Sequence, residues 1–394
     1  MSNIVPLFSN QPQIVPFDTF VVKVVSRCNL NCSYCYMYNL QDGTWRGQPK
    51  VMREKTQNSL AKRIRSHAIR HELTNVHLIM HGGEPLMMGK CKLAEWVLRM
   101  REILEPEIKP WFSIQSNGTL IDAEWIDLLI ALRVGIGVSV DGPKEYHDIH
   151  RQYHSGKGSF EDVKAGIQCF QLHPNGHEVS GNVMAVVNTN IPPKTLFDFW
   201  MELGVDGFDL SLPHANYAHP PPIGAMGYGE WMVEFFDLWF DKNDPNLSVR
   251  YFENIIRMIL GYPISTDNIG GKPVGVVVVE TDGSIEPTDA FKCCEQGITK
   301  LHCNVHDDEF DALYGIEMVR VLQNGASTLC DQCQTCSIRD VCGGGYMPHR
   351  FSKKNQFDNP SVYCHDIARL VTHIRDRMVD VIPDEIVEKM QRDL

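Results

Sequence analysis

Along the first half of the chain, apolar residues come in short runs separated by longer stretches where they recur every third or fourth position. The runs Phe20–Ser26, Val76–Met80, Trp111–Gln115, Gly135–Val140, Ser180–Val187 and Gly207–Leu212 have the length and β-branched content of buried strands. Between them Glu54–His71, Lys90–Leu104, Asp122–Leu132, Ser159–Leu172 and Lys194–Leu203 read as amphipathic helices, with Asp122 as the N-cap of its segment. Regular alternation of strand and helix predicts a parallel sheet with right-handed crossovers. Six units are too few for a closed eightfold barrel, so the expected fold is α/β, a partial (β/α)6 TIM barrel.

The second half changes character. Glu230–Asp241 and Arg250–Leu260 predict two bridging helices, with Trp231, Phe235, Leu238 and Trp239 as core. Val274–Glu280 and Ser284–Glu286, joined by Thr281-Asp282-Gly283, predict a β-hairpin. Apolar residues at Ile367, Leu370, Ile374, Met378 and Ile382 predict one amphipathic C-terminal helix, either docked or offered to a partner. The expected organisation is an N-terminal arm over 1–17, a core domain over 18–235, bridging helices over 236–273 and a second domain over 274–394.

With 394 residues the chain has room for two domains. Its 43% hydrophobic and 22% charged residues are those of a globular protein. No apolar run approaches the roughly 20 residues that span a bilayer, and the N-terminus lacks the basic start and apolar centre of a signal peptide. The expectation is a cytoplasmic protein with no membrane partner. A net charge of −12 argues against a nucleic-acid partner and leaves a basic peptide open. The 13 cysteines are clustered, which points to metal centres in a reducing compartment rather than to disulfides.

The first cluster, Cys28-Asn29-Leu30-Asn31-Cys32-Ser33-Tyr34-Cys35, follows the first strand. Three thiolates in one tight loop can surround one inorganic centre, and three is an informative number. A structural zinc site closes with four ligands, as do ordinary ferredoxin clusters. Three on a four-iron cube leave one iron open to a ligand; a zinc loop with a distant fourth ligand is the alternative. Polar motifs recur at later strand ends, where α/β sites are built. They are His81-Gly82-Gly83-Glu84-Pro85, then Gln115-Ser116-Asn117-Gly118-Thr119, then Ser139-Val140-Asp141-Gly142-Pro143 with His150-Arg151 beyond. Paired glycines allow close approach of backbone to a ligand, Glu84 can accept from an ammonium group, and the Arg151 fork suits a carboxylate. The sixth strand leads into Pro213-His214-Ala215-Asn216-Tyr217-Ala218-His219 and three prolines, read as a substrate-facing loop with a prolyl linker as the alternative.

The C-x3-C-x2-C spacing, with Tyr34 before the third cysteine, resembles the signature of the radical S-adenosylmethionine (radical SAM) superfamily. The resemblance implies an enzyme whose [4Fe–4S] cluster, on Cys28, Cys32 and Cys35, chelates and reductively cleaves S-adenosylmethionine. It implies a cofactor pocket that includes Tyr34, Gly82, Gly83, Glu84, Ser116, Asn117, Ser139, Asp141 and Arg151. It also implies an electron donor such as flavodoxin or ferredoxin.

Further on, Cys333, Cys336, Cys342 and Cys364 have the spacing C-x2-C-x5-C…C, similar to the SPASM extension of peptide-modifying radical SAM enzymes. That likeness implies an auxiliary [4Fe–4S] cluster on those four, with a zinc knuckle as the alternative. The two-cluster pattern has cysteines where this chain has Tyr346 and Thr288, so one auxiliary cluster is expected. Cys293, Cys294, Cys303 and Cys330 are either ordinary buried thiols or a rebuilt second site. Asp289, after Glu286-Pro287-Thr288, falls where anaerobic sulfatase maturases have their base, and a raised pKa would suit it to accept a proton; a capping role is the alternative. Cys342-Gly343-Gly344-Gly345-Tyr346-Met347-Pro348-His349-Arg350 and the prolyl loop resemble maturases of ribosomally made peptides, those forming three-residue cyclophanes in particular. The function expected from this is a carbon–carbon crosslink between an aromatic ring and a side-chain β-carbon of a precursor peptide. The alternatives are formylglycine formation of the sulfatase-maturase type, peptide excision or epimerisation, and a non-catalytic metal-binding scaffold.

Overall fold

The computed structural model describes residues 14–379 apart from 263, 265 and 274, so most of the expected N-terminal arm and the end of the C-terminal helix, Ile382 included, lie outside the described residues. In chain order the elements are β1 (Thr19–Val25), α1 (Glu54–Arg70), β2 (Asn75–Gly82), α2 (Lys90–Leu104), β3 (Lys109–Ser116), α3 (Ala123–Leu132) and β4 (Val134–Ser139). Then come α4 (Lys144–His150), α5 (Phe160–Leu172), β5 (Ser180–Val186), α6 (Pro193–Leu203), β6 (Gly207–Ser211), α7 (Tyr228–Lys242), β7 (Ser248–Val249) and α8 (Arg250–Ile259). They are followed by β8 (Val276–Val279), β9 (Ser284–Glu286), β10 (Cys303–Asn304) and, after several short turns, α9 (Cys364–Val379). All six strands expected from the apolar runs are present, in an α/β fold. No described helix is long and apolar enough to cross a membrane.

Two compact units emerge, and they divide the chain differently from the domains expected above: Val15–Ala185 with Gly275–Arg320, and Met1–Ile14 with Val186–Val274 and Val321–Leu394. In the first, the strands run β10-β9-β8-β1-β2-β3-β4-β5. The stretch from β8 to β5 is parallel and the β8–β9–β10 edge antiparallel. The hairpin is therefore part of the core sheet: β8 lies parallel beside β1, with Thr19 opposite Val276 and Val22 opposite Val279. Phe20, Val22 and Val24 are fully buried there, as are Leu78 and Met80 of β2, and the helices cover the sheet with Leu60, Ile64, Trp96, Val97 and Leu129. Near-continuous apolar strands are what a sheet covered on both faces requires. α3 starts on Asp122, whose carboxylate accepts the Trp125 N–H at 2.8 Å, the cap read from sequence.

In the second unit β6 and β7 pair in parallel. Trp231 and Phe235 of α7 are fully buried, whereas Leu238 and Trp239 are half-buried. α9 packs Ile367, Leu370, Val371 and Ile374 inward, and Arg377 and His373 pair with Asp237 of α7. Over its described length the C-terminal helix is thus docked on this unit.

Candidate active site

β1 runs straight into the cysteine loop. The loop turns on Cys35 N–H to Cys32 O at 3.0 Å, and Asn39 N–H returns to Cys35 O at 2.8 Å. The segment after α4 holds it from outside: Asn31 N–H donates to Gln152 O at 2.7 Å and Ser33 N–H to His150 O at 3.1 Å. Burial raises the pKa of all three thiols, Cys35 to about 11, and the neighbouring sulfurs of the loop push Cys28 and Cys35 further. Crowded buried thiols that resist ionisation alone are suited to a cationic centre, which takes the place of their protons. The three cysteines therefore fit an iron–sulfur cluster.

The glycines of the next motif serve the loop itself. A Cβ on Gly82, whose φ is +144°, would lie 1.9 Å from Val25 O, and one on Gly83 would lie 2.0 Å from Arg27 O. The close approach expected toward a ligand is thus toward the chain's own backbone, sealed by Gly83 N–H to Val25 O at 2.9 Å and Glu84 N–H to Arg27 O at 3.0 Å. Glu84 is buried and accepts from Ser116 Oγ at 2.9 Å, Asn117 N at 2.7 Å and Leu86 N at 3.0 Å. Burial raises its pKa to about 7 despite these three donors. The Asn117 amide donates to Asn29 at 2.8 Å and reaches 3.7 Å from Cys28 Sγ, so the ends of β2 and β3 meet the cysteine loop.

At the end of β4, Asp141 accepts from Arg151 Nε at 3.0 Å and from the Tyr34 hydroxyl. Burial opposes its charge, but Arg151 and its other partners outweigh that and hold the carboxyl below its usual range. Arg151, expected to meet a ligand carboxylate, already has this internal one, and its guanidinium lies 5.5 Å from the Tyr34 ring centre. Ser139 Oγ accepts from Gln115 Nε2 at 3.0 Å.

Asp289 lies in the short helical turn that leaves the hairpin, and the β8–β1 pairing brings it to the same place. Its Oδ2 accepts from Lys23 Nζ and, at 2.9 Å, from the Tyr36 hydroxyl. Lys23 Nζ also lies 2.9 Å from His81 Nδ1. The raised pKa expected for Asp289 is corrected: burial does push it up, but Lys23 and His81 overcome that and hold it well below the carboxylate range. His81 is lowered to about 4 by burial and by Lys23, so it is neutral. Sequence reasoning missed Lys23, His81 and Tyr36. Lys23 was the visible signal, a charge within an apolar strand run, since lysine is almost never fully buried unless paired.

One other group in this unit has metal-like spacing, His67, His71 and Asp311. Phe17 N–H donates to His67 Nε2 at 3.1 Å, so the ring proton sits on Nδ1, 3.4 Å from Asp311. A protonated Nδ1 does not ligate; the group is a polar staple.

The later cysteines belong to the second unit. Cys333 and Cys342 are buried, Cys336 and Cys364 half-buried, and all are free thiols. Burial raises Cys333 and Cys342 to about 12, and Cys342 feels the charges of Cys364 and Cys336. Gly343, Gly344 and Gly345 all have positive φ, and a Cβ on Gly343 would lie 1.9 Å from Gly271 N. Buried Arg350 ties this turn to its neighbours, donating to Thr328 O at 2.8 Å and Phe357 O at 3.0 Å. Cys330 packs against Cys333, while Cys293 and Cys294 lie in the other unit with sulfurs 3.9 Å apart. Tyr346 stacks edge-on to His349 at 5.4 Å, and Thr288 precedes the Asp289 turn. The prolyl loop is fastened to the same unit, Tyr217 N–H donating to Phe351 O at 3.0 Å.

The parallel sheet, the three-cysteine loop after its first strand and the polar strand ends define a class, that of enzymes built like the radical SAM superfamily, whose family model matches residues 22–185 of this chain. Its cofactors are S-adenosylmethionine and iron–sulfur clusters. Among characterised relatives, the chain is 25% identical over 379 residues to the cysteine-type anaerobic sulfatase-maturating enzyme of Clostridium perfringens (strain 13 / Type A), covering 93% of this chain and 98% of that one. It is 25% identical over 370 residues to the serine-type enzyme of Bacteroides thetaiotaomicron, covering 87% and 85%. A solved structure of native anSMEcpe with bound AdoMet and Cp18Cys peptide shares the fold with a TM-score of 0.77, 24% identity and coverage of 92% and 98%.

Proposed function

We propose that the chain oxidises a cysteine or serine side chain of a peptide substrate to formylglycine, as a maturase of the anaerobic sulfatase type. The observation that carries this reading is Asp289, a buried carboxylate hydrogen-bonded to Tyr36, the residue after the third cysteine of the loop. Cys28, Cys32 and Cys35 would hold the cluster that binds S-adenosylmethionine, and Glu84, buried and with a lone pair left beyond its three donors, would hold the cofactor's amino group. When bound, the cofactors supply hydrogen-atom abstraction from the substrate and an acceptor for one electron. The protein's own part is to orient the β-carbon, to exclude water, and to take at Asp289 the proton that leaves the substrate. Cys333, Cys336, Cys342 and Cys364 would hold an auxiliary cluster.

A second reading, the carbon–carbon crosslink between an aromatic ring and a β-carbon, is favoured by Tyr346 and Thr288 standing where the two-cluster pattern has cysteines. The two readings separate in one anaerobic experiment. The reconstituted enzyme is given a peptide with a sulfatase-type cysteine or serine, and another with repeated aromatic-x-x motifs. An aldehyde captured by a hydrazide probe supports formylglycine. Loss of two hydrogens without an aldehyde, on the aromatic peptide alone, supports crosslinking and removes the first reading.

A further inference from the structure

We propose that Lys23 is the positioning residue of the base: it anchors Asp289 through Oδ2, so that Oδ1 is the oxygen that receives the substrate proton. This rests on the reading above only in requiring that a proton leave the substrate at Asp289.

Lys23 is fully buried in β1, between β2 and β8. A buried ammonium needs compensating partners, and two converge on Nζ: Asp289 from the hairpin exit and His81 from the end of β2. His81 is neutral and accepts through Nδ1, which places its ring proton on Nε2 and gives the lysine a second partner besides the acid. Both hydrogen bonds to Asp289 end on Oδ2, one from Lys23 and one from Tyr36, and among the described residues none reaches Oδ1. The Asp289 side chain keeps 13% of its surface exposed while Lys23 has none, so the group opens outward from the acid. Lys292, on the same turn, is engaged with Glu280 and Glu286 and does not compete for Asp289. In the step itself the substrate C–H or X–H proton passes to Oδ1 and its electron pair stays on the substrate.

The test compares full-length, reconstituted wild type with Lys23→Met, Lys23→Arg and Asp289→Asn, recording modified peptide per deoxyadenosine against pH. Without the Lys23 charge, burial governs the acid. Lys23→Met should raise an acid limb into the accessible pH range, where Asp289 gives wild type none, and lower the ratio at neutral pH by about tenfold or more, as loss of a positioned base does. Lys23→Arg should raise no such limb. Should Lys23→Met fold poorly, Lys23→Met/Asp289→Asn carries the test: its loss of stability should be smaller than the sum of the single losses, because no unpaired buried charge remains. Absence of that acid limb in Lys23→Met, or strict additivity in the double variant, overturns the assignment of Lys23 while leaving the base reading intact. Product at the wild-type rate from Asp289→Asn overturns the base reading and this proposal with it.

Discussion

Glu84 takes the Ser116 hydroxyl on one carboxylate oxygen and the Asn117 backbone N–H, at 2.7 Å, on the other. One acid thereby fixes the end of β2 to the end of β3. Its pKa is raised to about 7 by burial, so the folded protein holds this proton more tightly than the unfolded chain. The stability it contributes is complete below the usual glutamate pKa and is lost as pH rises toward 7. Glu84→Gln should remove that slope, worth up to about 3 kcal/mol, in denaturant titrations of the cluster-free protein between acid and neutral pH. An unchanged pH dependence refutes the assignment. The same variant should bind S-adenosylmethionine at least about tenfold more weakly by calorimetry, having lost a charged acceptor.

Gly83→Ala tests the approach of β2 to the cysteine loop. Its Cβ would meet Arg27 O at 2.0 Å and the Tyr38 hydroxyl at 2.4 Å, and the first of these is backbone. The loop must move, at a cost of about 1–3 kcal/mol. The expected result is a lower melting temperature with reduced iron uptake at the first site, read by the iron–sulfur absorption of a protein that retains the auxiliary cysteines.

Replacing Cys28, Cys32 and Cys35 together by alanine should abolish deoxyadenosine formation and leave iron on the auxiliary site. Deoxyadenosine released at the wild-type rate would mean that other residues hold the cluster.

Iron analysis of reconstituted wild type should give about eight irons per chain, four for each of two cubes. A value near twelve would assign a third centre and end the reading of Tyr346 and Thr288 as lost ligands. Cys293→Ser and Cys294→Ser should leave the value unchanged.

The strand–helix alternation, the cysteine loop and the strand-end motifs were legible because each is local: period, spacing and turn chemistry lie within a dozen residues. Lys23 could be seen as an anomaly, but its partner could not, because Asp289 is 266 residues away and only the β8–β1 pairing joins them. Hairpin residues 276–286 were readable as a hairpin, yet nothing in their pattern says which strand they will lie against. The sign of the Asp289 shift failed for the same reason: burial was foreseeable and the ammonium beside it was not. Gly82 and Gly83 were recognised as sites of close approach, but a sequence does not tell whether a ligand or a backbone carbonyl will be met.

The place of β8 beside β1 bears on how the chain is made. During synthesis β1 emerges early, carrying an ammonium destined for the interior, and its counter-charge leaves the ribosome only after more than half of the protein has been translated. Until then one side of β1 is an unpaired sheet edge with a lysine on it, a combination that disfavours premature pairing with other chains. The last parallel strand to arrive therefore closes the edge, and the turn that follows its hairpin brings Asp289 to the lysine. Closing this edge of the sheet and supplying the acid to the lysine thus fall to one late stretch of chain, residues 276–289.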